Sequence, residues 1–429
     1  MKIIEPQAIK LFGSYPQRQE GLFMQRVPVF AGEINIGQLK SLAELAIRYT
    51  PTTPLHLTTR QNIEFHNVRE ADQMSLHSDL KSLGFNTFGA GGDSVRNITI
   101  CPCCKYNPAA LDPRPLAEKV KQVLDDSGLL TSMGRKFKLA FSGCPTPQSK
   151  PYITDFAVVV TGKAQAKVIG AGSLGPSPQA GIVLYEDLPI GQVPALALAA
   201  LRLFVDHGDR DNRRKARLRH IRQRIGDESF RNLLAEYFTR AVKELGIQNI
   251  ELSYGRSDLH KVGTFQAVAG NLASDELLLL CETAEQAQAQ LQINLQHGIE
   301  IYAPGAIDIP DSLKPYLHLP VIIACPGSTT CKNGIVNAPA MATELSDKLR
   351  TDQRFLARTI AISGCPNNCM HSCASEIGLI GRTKTIDGTR HEAYTILMGG
   401  DNGSSPKFAQ QTDIALACEL AEKLKALNL

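Results

Sequence analysis

An internal duplication constrains this chain more than any other feature. Ser142-Gly143-Cys144-Pro145 returns as Ser363-Gly364-Cys365-Pro366 at a lag of 221 residues. Thr154-Asp155-Phe156-Ala157 and Ser375-Glu376-Ile377-Gly378 fall at the same lag. Cys101-Pro102 is answered by Cys325-Pro326 at 224, and Ile63-Glu64-Phe65 by Ile299-Glu300-Ile301 at 236. A lag that falls steadily along the chain reads as one unit copied once, with small deletions in the second copy. Two copies, roughly 1–246 and 247–429, predict a pseudo-two-fold body with a cofactor between them.

Within the first copy, an extended segment is expected around Val29–Glu33. An amphipathic helix follows, with Leu39, Leu42, Leu45 and Ala46 at helical spacing, ended by Pro51 and Pro54. Residues 55–66 alternate apolar and polar in two short runs, as a half-buried strand pair does, and residues 72–83 are helical. This β-α-β-β-α order predicts a small ferredoxin-like unit. A larger α/β unit comes next. It has a helix over 115–127 closed by Gly128, strands at 136–141, 155–161 and 181–185, and a buried helix over 194–206. A helix is expected at 411–426.

At 429 residues, two or three domains are expected. Hydrophobic content of 43% and charged content of 21% describe a globular protein, and a net charge of +4 gives no reason to expect nucleic acid. The basic residues are instead concentrated locally, above all from Arg210 to Arg224. Eleven scattered cysteines do not make a disulfide framework and fit reduced thiols, some of them binding metal. No apolar run is long enough to span a membrane, and the N-terminus shows no apolar signal core, so a cytoplasmic location is expected.

Two cysteine pairs carry the strongest chemical signal. Cys325 and Cys331 stand as C-x5-C, and Cys365 and Cys369 as C-x3-C, with Gly, Pro and Asn between them as in loops that wrap a cofactor. Four thiolates can hold a cubane iron–sulfur cluster. Spacing alone also leaves zinc and buried structural thiols open, although a gap of five is less usual for zinc. The first copy lacks this full set and carries basic residues in neighbouring positions, so one half holds metal and the other presents positive charge. Its own Cys101, Cys103, Cys104 and Cys144 are read as buried thiols in preference to a second metal site or a cross-link.

Taken in order, several segments resemble the sirohaem-dependent sulfite and nitrite reductases over most of the chain. They are Leu57-Thr58-Thr59-Arg60-Gln61 with Phe65-His66, Arg96-Asn97, Arg135-Lys136-Phe137-Lys138, the Arg210 to Arg224 run and the two cysteine pairs. The resemblance implies an α+β fold duplicated about a pseudo-two-fold axis. Ferredoxin-like half-domains are expected at 1–85 and 247–317, and larger α/β reductase domains at 86–246 and 318–429. It implies a sirohaem beside a 4Fe–4S cluster held by Cys325, Cys331, Cys365 and Cys369, with Cys369 bridging cluster and haem iron. Arg60, Arg96, Lys136 and Lys138 map onto the substrate cations. Arg135 and Asn367 map near the sirohaem, and Arg217 of the basic run is assigned to its carboxylates.

The chemistry asks for these residue types independently. A macrocycle bearing eight carboxylates needs several Arg and Lys partners. An oxyanion approaching an electron-rich iron needs cations that offset repulsion and deliver protons as oxygens leave as water. Arg offers a planar fork, whereas Lys gives up a proton more readily. Lys136 and Lys138 alternate with Phe137, so on a strand both face one side, which without the resemblance would read as solvated surface. His66 is expected to be a packed, hydrogen-bonded histidine. Gly170–Gly175 fits G-x-G-x-x-G, but Pro176 and Pro178 follow where a dinucleotide site needs a helix.

The function expected is six-electron reduction of sulfite to sulfide, with electrons from a separate ferredoxin or flavoprotein. Two lysines at 136 and 138 favour sulfite, because nitrite-reducing relatives often replace the second with Asn. Nitrite reduction to ammonia at the same site is the alternative. A precorrin-3B synthase-like oxygenase and a cluster-bearing electron carrier are both opposed by the four distal cations.

Overall fold

The computed structural model describes residues 6–256, 258–401, 403–427 and 429. The segment 1–6, in which no signal core was expected, lies outside the described residues except for Pro6, and the described residues contain no helix long and apolar enough to cross a membrane.

In the first ferredoxin-like unit, Leu22–Pro28 pairs antiparallel with Asn62–Arg69, which pairs in turn with Leu55–Leu57. The helix Ile36–Tyr49 starts at a capping box: Asn35 Oδ1 accepts from Gln38 N at 2.8 Å, and Asn35 N donates back to Gln38 Oε1. It buries Leu39, Leu42, Leu45 and Ala46, the stripe its periodicity predicts. The helix Gln73–Ser82 completes the unit. The second copy repeats it with His260–Gln266, Ser274–Gln286, Gln290–Ile293 and Gly298–Ala303. The extended segment expected around 29–33 is instead a tight turn, with Ala31 left-handed at φ 56°, and Ala269 occupies its counterpart at φ 54°. Each turn sends its chain across to the other copy: Asn271 bridges His56, and Glu33 bridges Gln292. The two helices pack together over one shared core, with Lys40 paired to Glu285.

Each larger unit is a five-stranded sheet whose strand order follows the chain. Thr99–Ile100, Leu139–Ser142 and Phe156–Val160 run parallel, followed by antiparallel Gln165–Gly170 and Ile182–Pro189. Val321–Ala324, Thr359–Ser363 and Ile377–Ile386 run parallel, followed by antiparallel Thr389–Met398 and Gln410–Leu416. The parallel strands are continuous apolar runs because both faces are covered. The crossover helices Arg114–Asp126 and Ala338–Leu349 lie in equivalent places. The first copy adds Val193–His207 and Asp227–Leu245 to a large core of its own.

Two further expected elements differ. The strand expected at 136–141 begins at Leu139, and residues 136–138 make one isolated bridge, Phe137 with Val95. The helix expected at 411–426 is an edge strand, Gln410–Leu416, and then a six-residue helix, Leu420–Lys425. Pairing with Thr389–Met398 satisfies that backbone and outweighs local helix preference.

Candidate active site

Adjacent parallel strands of the second copy end together and deliver Cys325 and Cys365. Cys325 is buried, and its Sγ accepts from Gly364 N at 3.1 Å. The loop onward to Cys331 folds tightly on glycines: Gly327 has φ 56°, and a Cβ on Gly334 would stand 2.2 Å from the Gly327 carbonyl carbon. Asn368, left-handed at φ 57°, is buried and accepts from Cys373 N, which leaves Cys369 exposed on the turn. Cys369 lies in the field of both Cys325 and Cys365, and Cys331 in that of Cys365. Burial and then Cys369 push the Cys325 thiol up to about 12, and burial raises Cys365 as well. Both thiols hold their protons until a metal displaces them.

The first ferredoxin-like unit straps this loop. Arg18 donates from its backbone to Thr330 O at 2.8 Å and from Nη2 to Gly334 O at 2.6 Å. His66 links Glu64, through Nε2 at 3.2 Å, to Thr330 Oγ1, through Nδ1 at 3.3 Å, so it is a packed, hydrogen-bonded histidine. Glu64 in turn is held ionised by the Arg26 guanidinium at 2.7 Å.

The cations come from the first copy. Phe137 is fully buried, and the half-buried Lys136 and Lys138 flank it. Neither ammonium has a hydrogen-bond or ion-pair partner among the described residues. Burial, then Arg217 and Arg96, bring Lys136 down to about 7, and Cys369 across the seam acts to raise it. Burial, then Lys136 and Arg60, hold Lys138 well below the ordinary lysine value. Arg60 reaches the Asn97 and Leu139 carbonyls, and burial lowers it to about 9. Arg96 donates to the Ala90 and Gly92 carbonyls. Arg135 is lowered by burial and then by Arg213. Buried Nε atoms of Arg60, Arg96 and Arg135 all lack partners.

Arg217 is placed differently from the other cations. Its guanidinium forks onto fully buried Asp155, at 2.5 and 3.2 Å, and Asp155 also accepts the Lys138 backbone N–H at 2.9 Å. The rest of the basic run splits between two tasks. Arg219 and Arg222 turn inward to the Ser177, Ala171 and Ala180 carbonyls and clamp the glycine-rich loop, whereas Arg213 pairs with Asp93 at the surface. Asn367 is exposed and donates to Cys365.

Sequence reasoning missed two residues. Lys150 and His371 share a small cavity with Arg60, Lys138 and Ser149. Both are left-handed, at φ 52° and 62°. Lys150 Nζ donates to Ala374 O at 3.1 Å and Ser375 Oγ at 3.3 Å, and burial lowers it to about 8. Burial, then Lys150 and Lys138, keep His371 uncharged. The signal was present, because 371 and 150 differ by 221, the duplication lag itself.

Crowded cations with orphaned N–H groups beside a set of thiols need anionic partners. A carboxylate-rich macrocycle next to an iron–sulfur cluster satisfies both, so the residues present fit sirohaem and a cubane. Residues 91–242 and 319–426 match the family described as nitrite and sulphite reductase 4Fe-4S domain, and residues 15–83 match the nitrite/sulfite reductase ferredoxin-like half domain. The chain belongs to the nitrite and sulfite reductase family, and is an oxidoreductase whose cofactors are sirohaem and a 4Fe–4S cluster. It is 28% identical to the assimilatory ferredoxin-dependent nitrite reductase of Haloferax mediterranei, over 94% of this chain and 78% of that one. It is 26% identical to the ferredoxin–nitrite reductase of Synechococcus elongatus, over 93% and 84%. It is 24% identical to sulfite reductase (ferredoxin) 1 of Mycolicibacterium paratuberculosis, over 93% and 80%. The fold is that of the Mycobacterium tuberculosis NirA protein, with a TM-score of 0.81 at 20% identity, over 97% and 85% of the two chains.

Proposed function

We propose that this enzyme reduces sulfite to sulfide, taking electrons one at a time from a separate ferredoxin. The observation that carries this reading is the pair Lys136 and Lys138, unpartnered and half-buried, with Lys136 in the field of Cys369. Cys325, Cys331, Cys365 and Cys369 would hold the cluster, and Cys369 would also contribute to holding the sirohaem. Arg135 and Asn367 would hold the sirohaem, and Arg217 fixes Asp155 and through it the Lys138 backbone. When bound, the two cofactors would relay the donor's electrons and supply the iron to which the substrate binds.

The chain's own residues then handle charge and protons. Arg60 and Arg96 are anchored by carbonyls and orient the oxyanion with their remaining N–H groups. Sulfite reduction releases each oxygen as water and consumes at least one proton for each electron, so donors must recharge between electrons. A lysine near pH 7 gives and regains a proton readily, and Lys136 has that character. Lys150, poised at about 8 on the cavity that Lys138 lines, is the next proton source. A ferredoxin donor is supported by relatives named for that dependence.

Nitrite reduction to ammonia is the second reading, favoured by the nitrite reductases among the relatives. The test is steady-state turnover of anaerobically purified holoenzyme with reduced ferredoxin, on sulfite and nitrite in turn. A higher kcat/KM on sulfite is expected. A higher value on nitrite would establish the second reading, and turnover of neither would remove both.

A further inference from the structure

The first copy gathers four cysteines at the place where the second copy carries its cluster ligands. Cys101 follows the strand Thr99–Ile100, and Cys144 follows Leu139–Ser142, two adjacent parallel strands. Cys325 and Cys365 follow the equivalent pair. The spacing of the sulfurs, however, is different. Cys144 Sγ lies 3.3 Å from Cys103 Sγ and 3.5 Å from Cys104 Sγ. These three sulfurs all fall within 4.8 Å of one another, and among the described residues no other trio of His, Cys, Asp or Glu ligand atoms is so closely gathered. Cys101 packs against Cys104 and Cys144. A metal–sulfur bond of about 2.3 Å in a tetrahedron sets its sulfurs about 3.8 Å apart. A cubane attaches each thiolate to a separate corner iron and holds them further apart. The first-copy set has the size of a single ion.

The backbone also prepares these sulfurs. Gln148 N and Ser149 N donate to Cys101 Sγ at 3.1 and 3.3 Å, and Gly143 N donates to Cys104 Sγ at 3.3 Å. Amide donors aimed at sulfur favour the thiolate, the form that binds metal.

We infer that Cys101, Cys103, Cys104 and Cys144 form a second metal site, a tetrahedral four-thiolate centre for one zinc-class divalent ion. Each thiol releases its proton to solvent as it ligates, and no electron is transferred. The ion would be a structural tie. Gln148 and Ser149 line the cavity beside Lys150, Arg60 and Lys138. On the cysteine loop, Tyr106 stacks on Tyr302 of the second copy, with ring centroids 4.0 Å apart. The centre thus braces one wall of the active site and the seam between the copies, whichever oxyanion is reduced there.

The test uses holoenzyme purified without chelator from zinc-supplemented medium. Elemental analysis is expected to give about one zinc per chain, and X-ray absorption at the zinc edge four sulfurs at about 2.3 Å. Cys103→Ser with Cys104→Ser should lose the zinc and keep the sirohaem absorption, and Cys281→Ser should keep both. If the double variant does not fold, the zinc-edge spectrum of the native enzyme decides alone. Zinc far below one per chain, a Cys103–Cys144 disulfide in the peptide map, or iron beyond one sirohaem and one cubane would each overturn the inference.

Discussion

Lys136 and Lys138 are placed by the residue between them. Phe137 is fixed in the core and the half-buried lysines flank it, Lys138 on the cavity and Lys136 in the field of Arg217, Arg96 and Cys369. Burial and the neighbouring cations lower the proton affinity of both. The charged form of Lys136 is present below about 7 and is lost as pH rises through that value. For an anionic substrate, kcat/KM should therefore fall on the alkaline side with a limb near 7, and a bound anion should move the limb of kcat higher. Lys136→Arg should shift the kcat/KM limb upward by at least one pH unit, and an unmoved limb would assign the titration elsewhere. Asp155 makes a second residue-scale case. Its replacement by Ala strands Arg217 in the interior, and a loss of about 3–5 kcal/mol in denaturant unfolding is expected. The cysteine pairs and the cations could be singled out because their order along the chain is the signal. The pairing of Arg217 with Asp155 was not, since 62 residues separate two groups that only the fold brings together.

At the scale of elements, the turn at Arg18–Gln19 does work that its exposed sequence does not announce. Five hydrogen bonds run from it to the Thr329–Gly334 stretch of the cysteine loop. Arg18→Ala should leave global stability within about 0.5 kcal/mol, as surface changes generally do. Loss of the cluster to an iron chelator should nevertheless become several-fold faster, and an unchanged rate would show that the strap is idle. Phe137→Ala should cost about 3–5 kcal/mol, since it empties a fully buried aromatic site. Sheets and helices with clean periodicity, such as Ile36–Tyr49, were readable in advance. The edge strand Gln410–Leu416 was not, because its partner strand, and no local pattern, makes it a strand. The left-handed turns at Ala31 and Ala269 escaped for a related reason: alanine gives no sign of positive φ, and each turn exists to carry its chain across to the other copy.

Across the whole molecule, duplication followed by division of labour accounts for the site. The second copy ends its parallel strands in the thiols proposed to hold the cluster, while the first ends the same strands beside cations and a compact cysteine group. Symmetric positions remain recognisable where the copies meet, as Lys150 and His371 show, but they now differ in charge. The lag in the sequence made the symmetry legible; which face of each copy turned to the seam required the fold. The measurement that bears most directly on this division is sulfite turnover by anaerobic holoenzyme carrying Lys136→Ala or Lys138→Ala, with sirohaem and cluster absorption recorded on the same samples. Retained cofactors with turnover reduced about 10²-fold or more are expected, the scale on which a positioned proton donor acts. Retained cofactors with unchanged turnover in both variants would contradict it.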